Sequence, residues 1–206
     1  MKAFPHQVDG RLLSFLADEY QRRRLHDKAI ALMWRLFEAR PSLENYQQLK
    51  QHADQAKAWP AWRERALSRL RKAAAADSRR GRPRGTLFGL STDADTLVRI
   101  FLWEKEAETA WCEAQGQRLS RDLWLDLAAA REATHPSEAI PIYLREAEAL
   151  IAMTDSRSYA MAVVLLKKAR TLHLRLGQPG EWAAVLGRLR LAYKAKRNFM
   201  ALIAAW

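Results

Sequence analysis

The 206-residue sequence predicts an all-α array of paired helices. Three observations lead there. An apolar stripe at i, i+4 and i+7 recurs along the chain: Ala29, Met33, Leu36; Ala66, Leu70, Ala73; Ala107, Trp111, Ala114; and Ala162, Leu166, Ala169, with a looser copy through Ala139, Tyr143 and Ala147. That spacing puts three side chains on one helix face, and its return every few dozen residues marks helix pairs stacked as an array. Glycine and proline are sparse, at 8 and 7 residues, and only a few short runs favour strand. An apolar content of 49% is sufficient for a real core.

Four helices are expected between Asp9 and Ala76, with breaks near Arg24, at Pro41 and around Trp59-Pro60. In the first pair Leu12, Leu13, Leu16 and Tyr20 face Ala29, Leu32, Met33 and Leu36; Pro41 then stops the second helix, because proline has no N–H to continue the ladder. Ser42 is placed to cap the third helix through Tyr46 and Leu49, and Trp62, Ala66, Leu67 and Leu70 line the fourth. Residues 1–77 therefore read as an N-terminal block. Residues 78–90, with their glycines, Pro83 and arginines, break every helical pattern and read as a basic linker or loop.

Residues 91–206 form the expected second block. Ser91-Thr92-Asp93 reads as a cap for a helix through Leu97, Val98, Ile100 and Phe101, and Gly116 ends the next helix. Ser120 and Asp122 start another that carries Leu123, Trp124, Leu127 and Ala128 and ends at His135-Pro136. Ser137 is the expected cap of the following helix, with Pro141 in its first turn, where proline is tolerated. An amphipathic stretch from Tyr159 to Leu176 closes on Gly177, which is suited to a left-handed C-cap. Pro179-Gly180-Glu181 turns the chain into a helix from Trp182 to about Lys194, and Asn198 to Trp206 gives a short last one; about eleven helices fit.

Net charge is +12 and unevenly placed. Basic residues dominate from Arg63 to Arg84 and again from Arg157 to Arg197, where Glu181 is the single acid, whereas nine acids oppose five bases between Asp93 and Glu132. Such asymmetry either solvates helix faces or draws in an anionic partner. The candidate anion or nucleic-acid contacts are Arg79, Arg80, Arg82 and Arg84 in the loop and Arg190, Lys194, Lys196 and Arg197 near the end. Arginines on a loop neutralise phosphate without reading bases. No aromatic is interleaved before Phe88, so base stacking has little support.

Catalytic chemistry finds little footing. No glycine-rich phosphate loop, His-Glu-x-x-His helix or nucleophile elbow occurs, so no catalytic, cofactor or metal residue is assigned. Cys112 alone excludes an internal disulfide or a cysteine-rich metal site, suits a reducing compartment, and beside its apolar stripe is expected to be a small buried thiol. Glu104 and Glu108 share a helix face at i, i+4, a common solvated arrangement. Most of the eight tryptophans stand at core spacing; Trp59, Trp62 and Trp206 are the expected partner anchors. No segment stays apolar for the length a bilayer requires, which predicts a soluble cytoplasmic protein or a fragment of one.

These residues also carry two resemblances. Leu16, Ala17, Tyr20, Ala29, Met33 and Pro41 sit at offsets similar to a tetratricopeptide repeat. Trp34 to Ser42, Trp59 to Leu67, Asp122-Leu123-Trp124-Leu125, His135-Pro136 and Lys196 to Leu202 together resemble the helical region that follows the zinc finger in bacterial SWIM zinc-finger proteins of uncharacterised function. That resemblance implies a helical repeat module in a cytosolic protein. The chain departs from the family in lacking the Cys-x-Cys and Cys-x-His ligands, with Cys112 alone and five scattered histidines, so no zinc carries over. The unequal spacing of the stripes makes the array a degenerate α-solenoid. Its expected role is a non-catalytic scaffold for a protein or peptide partner, with nucleic-acid binding as the alternative.

Overall fold

The computed structural model describes residues 10–79 and 92–206. Among the described residues there is no strand, and the chain runs through α1 (Gly10–Arg22), α2 (His26–Ala39), α3 (Leu43–Gln55), α4 (Trp59–Arg79), α5 (Asp93–Trp103), α6 (Ala107–Ala114), α7 (Arg121–Arg131), α8 (Pro136–Ala152), α9 (Ser156–Arg175), α10 (Pro179–Ala192) and α11 (Arg197–Leu202). The helices form two compact units, Met1–Ser120 and Arg121–Trp206. The boundary expected at 78–90 is thus displaced. Ser78 and Arg79 still belong to α4, residues 80–90 lie outside the described residues, and α5 packs on α4 and α3, which places α5 and α6 in the first unit.

Four of the helix reversals are built alike. After α1, α3, α5 and α9 one residue takes a left-handed conformation, Arg24 (φ 60°), Lys57 (φ 54°), Lys105 (φ 67°) and Gly177 (φ 68°). The next N–H then reaches back across the turn at 2.9 Å: Leu25 to Tyr20, Ala58 to Ala53, Glu106 to Phe101 and Gln178 to His173. This is the Schellman arrangement, which satisfies carbonyls that the ending helix leaves without partners. Glycine occupies it without strain. Arg24, Lys57 and Lys105 accept a left-handed cost of about 1–2 kcal/mol each, partly offset because a cation there faces the negative end of the helix dipole.

Side chains cap the starts of α3, α5 and α9. Ser42 Oγ accepts from Asn45 N at 3.1 Å, and Thr92 Oγ1 accepts from Asp95 N at 3.0 Å, as expected at both places. Asp155, not among the expected caps, does the same for Ser158 N at 2.9 Å and so starts α9 before Tyr159. Two expected caps are corrected. Ser137 lies inside α8, whose first residue is Pro136, so Pro141 stands beyond the first turn. Ser120 Oγ is buried without a hydrogen bond; its main-chain N–H donates to Asp95 instead, at 3.1 Å.

In the first unit α1 lies beside α3. Ser14 donates to Gln48 Oε1 at 3.2 Å, and Gln21 donates to Gln55 Oε1, and each pair is separated by 34 residues. Below them Ala17, Ala29, Met33, Phe37, Tyr46, Leu49, Leu67 and Leu70 are buried. The stripes are core with small shifts of phase: Ala73 and Ala107 are half-buried, and Ala74 and Ala110 take the buried positions beside them. In the second unit α8 and α9 make the principal interface, where Ala139, Tyr143 and Ala147 on one helix and Ala162, Leu166 and Ala169 on the other are all essentially inaccessible. Small residues at these positions let the two helices approach closely.

His52 is buried in the belt between α1 and α3. Its Nδ1 lies 3.3 Å from Gln21 Oε1 and its Nε2 3.6 Å from Asp18 Oδ1. Burial lowers its pKa, and the Asp18 carboxylate opposes that only in part.

Gly177→Ala is expected to lower stability by about 1 kcal/mol, whereas Lys57→Gly is expected to raise it by up to about 1 kcal/mol, each read as a shift of the urea midpoint. His52 gives the fold a pH dependence. Above the unfolded histidine pKa of 6.5 both states hold it neutral; as pH falls below that value the unfolded chain binds the proton first, so stability declines until the pH passes the lowered folded value. His52→Gln is expected to flatten that acid-side decline in a pH series of thermal melts.

Candidate interaction surface

The two anchors expected near Pro60 are already engaged. Trp62 packs on buried Trp34 with ring centroids 5.6 Å apart, and the Arg65 guanidinium lies over both rings, at 4.3 Å from Trp34 and 4.9 Å from Trp62. Trp59 meets Tyr46 edge-on at 5.0 Å and lies under the Lys50 ammonium at 5.4 Å. The expected burial of most tryptophans is corrected too. Trp34 and Trp182 are buried, Trp103 is 38% exposed, and the other five are half-buried.

Glu104 is no member of a solvated i, i+4 pair. It comes just after the last turn of α5, where the chain reverses, and its side chain is 11% exposed. There it accepts the Tyr46 hydroxyl at 2.8 Å and two hydrogen bonds from Arg63, through Nε at 3.1 Å and Nη2 at 2.5 Å, while Arg63 Nη2 also reaches Glu106 at 2.7 Å. Burial, then the bond to Glu104, pushes the Tyr46 hydroxyl well above its ordinary pKa. The same carboxylate, as acceptor, holds Arg63 still more firmly protonated than usual. The cluster ties α3 and α4 to the reversal between α5 and α6. Its groups face one another rather than an open site, so it is cross-bracing.

Among the basic candidates, two are structural. Arg190 Nη2 donates to the main-chain carbonyl of Trp206 at 2.9 Å and to that of Ile203 at 3.4 Å, and the Trp206 ring packs on Trp182 at 5.8 Å. Lys196 Nζ donates to Ile151 O at 3.0 Å and Thr154 Oγ1 at 3.1 Å, placing a cation at the carbonyl end of α8. Lys194 and Arg197 are exposed. The side chain of Arg79 and all of Arg80, Arg82 and Arg84 lie outside the described residues. Cys112 is exposed, not buried: it sits on the outer side of α6, while Ala110 and Ala114 face the core.

The outer face of α9 is a surface that sequence motifs did not single out. Arg157, Met161, Val164, Lys168, Thr171 and Arg175 fall at i, i+4, i+7 and onward, opposite the buried Ala162, Leu166 and Ala169. Met161 is 50% and Val164 58% exposed. Beside them a cavity of about 310 Å³ is lined by Glu132, Val164, Lys167, Lys168, Thr171 and Leu172. Lys168 Nζ reaches Glu132 Oε2 at 3.3 Å and the Tyr143 hydroxyl at 3.4 Å. Burial, then the bond to Glu132, raises the pKa of Tyr143. The sequence signal for this face is a second stripe, mixed apolar and basic, offset from the alanine stripe on the same helix.

A second cavity, of about 370 Å³, lies in the first unit between α4, α5 and α6, and the Arg71–Glu113 ion pair at 2.7 Å forms part of its lining. Among the described residues no group of three or more His, Cys, Asp or Glu side chains could hold a metal ion, and no helix is long and apolar enough to cross a membrane.

Removing one partner from the Glu104 cluster tests its bracing role. Glu104→Ala is expected to cost about 2–3 kcal/mol, since it strands the Tyr46 hydroxyl and leaves Arg63 with Glu106 alone, against about 1 kcal/mol for Tyr46→Phe; urea denaturation of the two variants measures the difference. No family model matches this chain, and neither a curated protein nor a solved structure shows significant similarity to it.

Proposed function

We propose that this chain is a non-catalytic helical-repeat scaffold that binds another protein in the cytoplasm, as a module of a larger SWIM-type protein. The observation that carries this reading is the register between α1 and α3. Equivalent side chains 34 residues apart, Ser14 with Gln48 and Gln21 with Gln55, meet across neighbouring helices, and the tetratricopeptide period is about 34 residues. The like-built reversals at Arg24, Lys57 and Lys105 support the same view. Arrays of this type carry extended binding surfaces on their exposed helix faces. The sequence stretches Trp34 to Ser42 and Trp59 to Leu67 support the SWIM-type context.

Nucleic-acid binding is the second reading, kept by the exposed cations Lys167, Arg170, Lys194 and Arg197. It is weakened because Arg190 and Lys196 serve the fold, and because exposed Met161, Val164 and Leu174 stand among the cations of the second unit and offer nothing to phosphate.

The experiment is affinity capture of the tagged chain from its native cell with and without nuclease, beside a salt series of binding to generic duplex and single-stranded DNA and RNA. A stoichiometric protein that survives nuclease and moderate salt is the expected outcome. Recovery of nuclease-sensitive partners only, together with affinity that falls steeply with salt, would replace this reading with the second one.

A further inference from the structure

Along its 20 residues α9 contains no acid and carries Arg157, Lys167, Lys168, Arg170 and Arg175. Two of these cations are in use: Lys168 pairs with Glu132, and Arg175 donates to the Glu132 carbonyl. Lys167 is exposed at the rim of the 310 Å³ cavity, and Arg157 is exposed one turn before Met161. Between them Met161 and Val164 present an apolar surface at least half exposed, an arrangement that a packed helix gains nothing from in isolation.

We propose that this face docks an acidic amphipathic segment of a partner protein, with one apolar side chain seated on Val164 at the cavity mouth and flanking carboxylates on Lys167 and Arg157. The proposal rests on the scaffold reading and names the partner's chemistry. Charge complementarity selects the occupant. A second copy of the same face would bring like charges together, and a phosphate backbone would leave Met161 and Val164 against water or sugar without gain. An apolar anchor between carboxylates satisfies both components, with apolar burial holding the complex and charge setting its register.

The test uses the full chain and a fluorescein-labelled synthetic peptide of about 16 residues, with Leu on one helical face and Glu on the other. Controls are the same peptide with every Leu replaced by Ser, and single-stranded and duplex DNA of matched length. Anisotropy at about 0.15 M salt, where exposed charges are screened beyond roughly 8 Å, separates anchored from purely ionic binding.

The Leu/Glu peptide is expected to bind, the Ser version at least about tenfold more weakly, and both Val164→Asp and Lys167→Glu to weaken the Leu/Glu peptide at least about tenfold. Leu191→Asp, at an exposed position of α10, is expected to change nothing, and circular dichroism checks that each variant keeps its helix content. The proposal is overturned if the Leu/Glu and Ser peptides bind alike, if DNA binds better and only Lys167→Glu matters, or if sedimentation shows a dimer that Val164→Asp dissociates. Should native capture by the Val164→Asp chain still recover the nuclease-resistant partner, this site is wrong and the scaffold reading stands; if no such partner exists for the wild-type chain, both fall.

Discussion

An isolated helix of about 12–15 residues or fewer is marginal in water, so most elements here depend on folding back against the next within a few residues. Reversal through a left-handed residue closed by a Schellman hydrogen bond meets that constraint four times, at Arg24, Lys57, Lys105 and Gly177. It closes the carbonyls of the outgoing helix and lets the incoming one begin two residues later. The start of each incoming helix then sets the packing: the alanine stripes of successive helices are brought face to face, and the opposite faces are left to water. Three cations at these turns fit a chain with many arginines and lysines and few glycines, since a basic side chain tolerates the strained position best where it also meets the negative end of a helix.

Polar groups inside the array serve alignment. Tyr46, Arg63, Glu104 and Glu106 form one brace, and Tyr143, Glu132 and Lys168 form another within the second unit. Each is mutually satisfied, so the charges of both braces are spent on the fold. This also accounts for the fate of the basic residues. Arg65, Arg145 and Lys196 lie over aromatic rings, and Arg190 holds carbonyls, so a positive count along the sequence overstates the cation available to a partner.

Much of the local punctuation in both units was legible. The breaks at Arg24, Pro41 and Trp59-Pro60, the caps at Ser42 and Thr92 and the closing Gly177 each have a local chemical cause that the residues themselves carry. The division into units was not, because whether α5 joins α4 depends on contacts across an intervening segment. The surroundings of the expected partner anchors were hidden for a related reason. Trp59, Trp62 and Trp206 stand at element ends, where sequence suggests exposure, yet each finds a neighbouring ring or cation only once the chain has folded. Cys112 failed in the opposite sense: one step along a helix turns a side chain by about 100°, enough to move it from the core to solvent.

The sequence by itself determined the helical class, the number of helices among the described residues and the positions of most turns there, because hydrophobic period, proline placement and capping act over a few residues. Tertiary structure alone decided which cations and tryptophans remain available. Exposure is a property of neighbours distant in the chain, and so the α9 face, with Met161, Val164 and Lys167 outward, emerged only when the packing of α8 against α9 settled which stripe was buried.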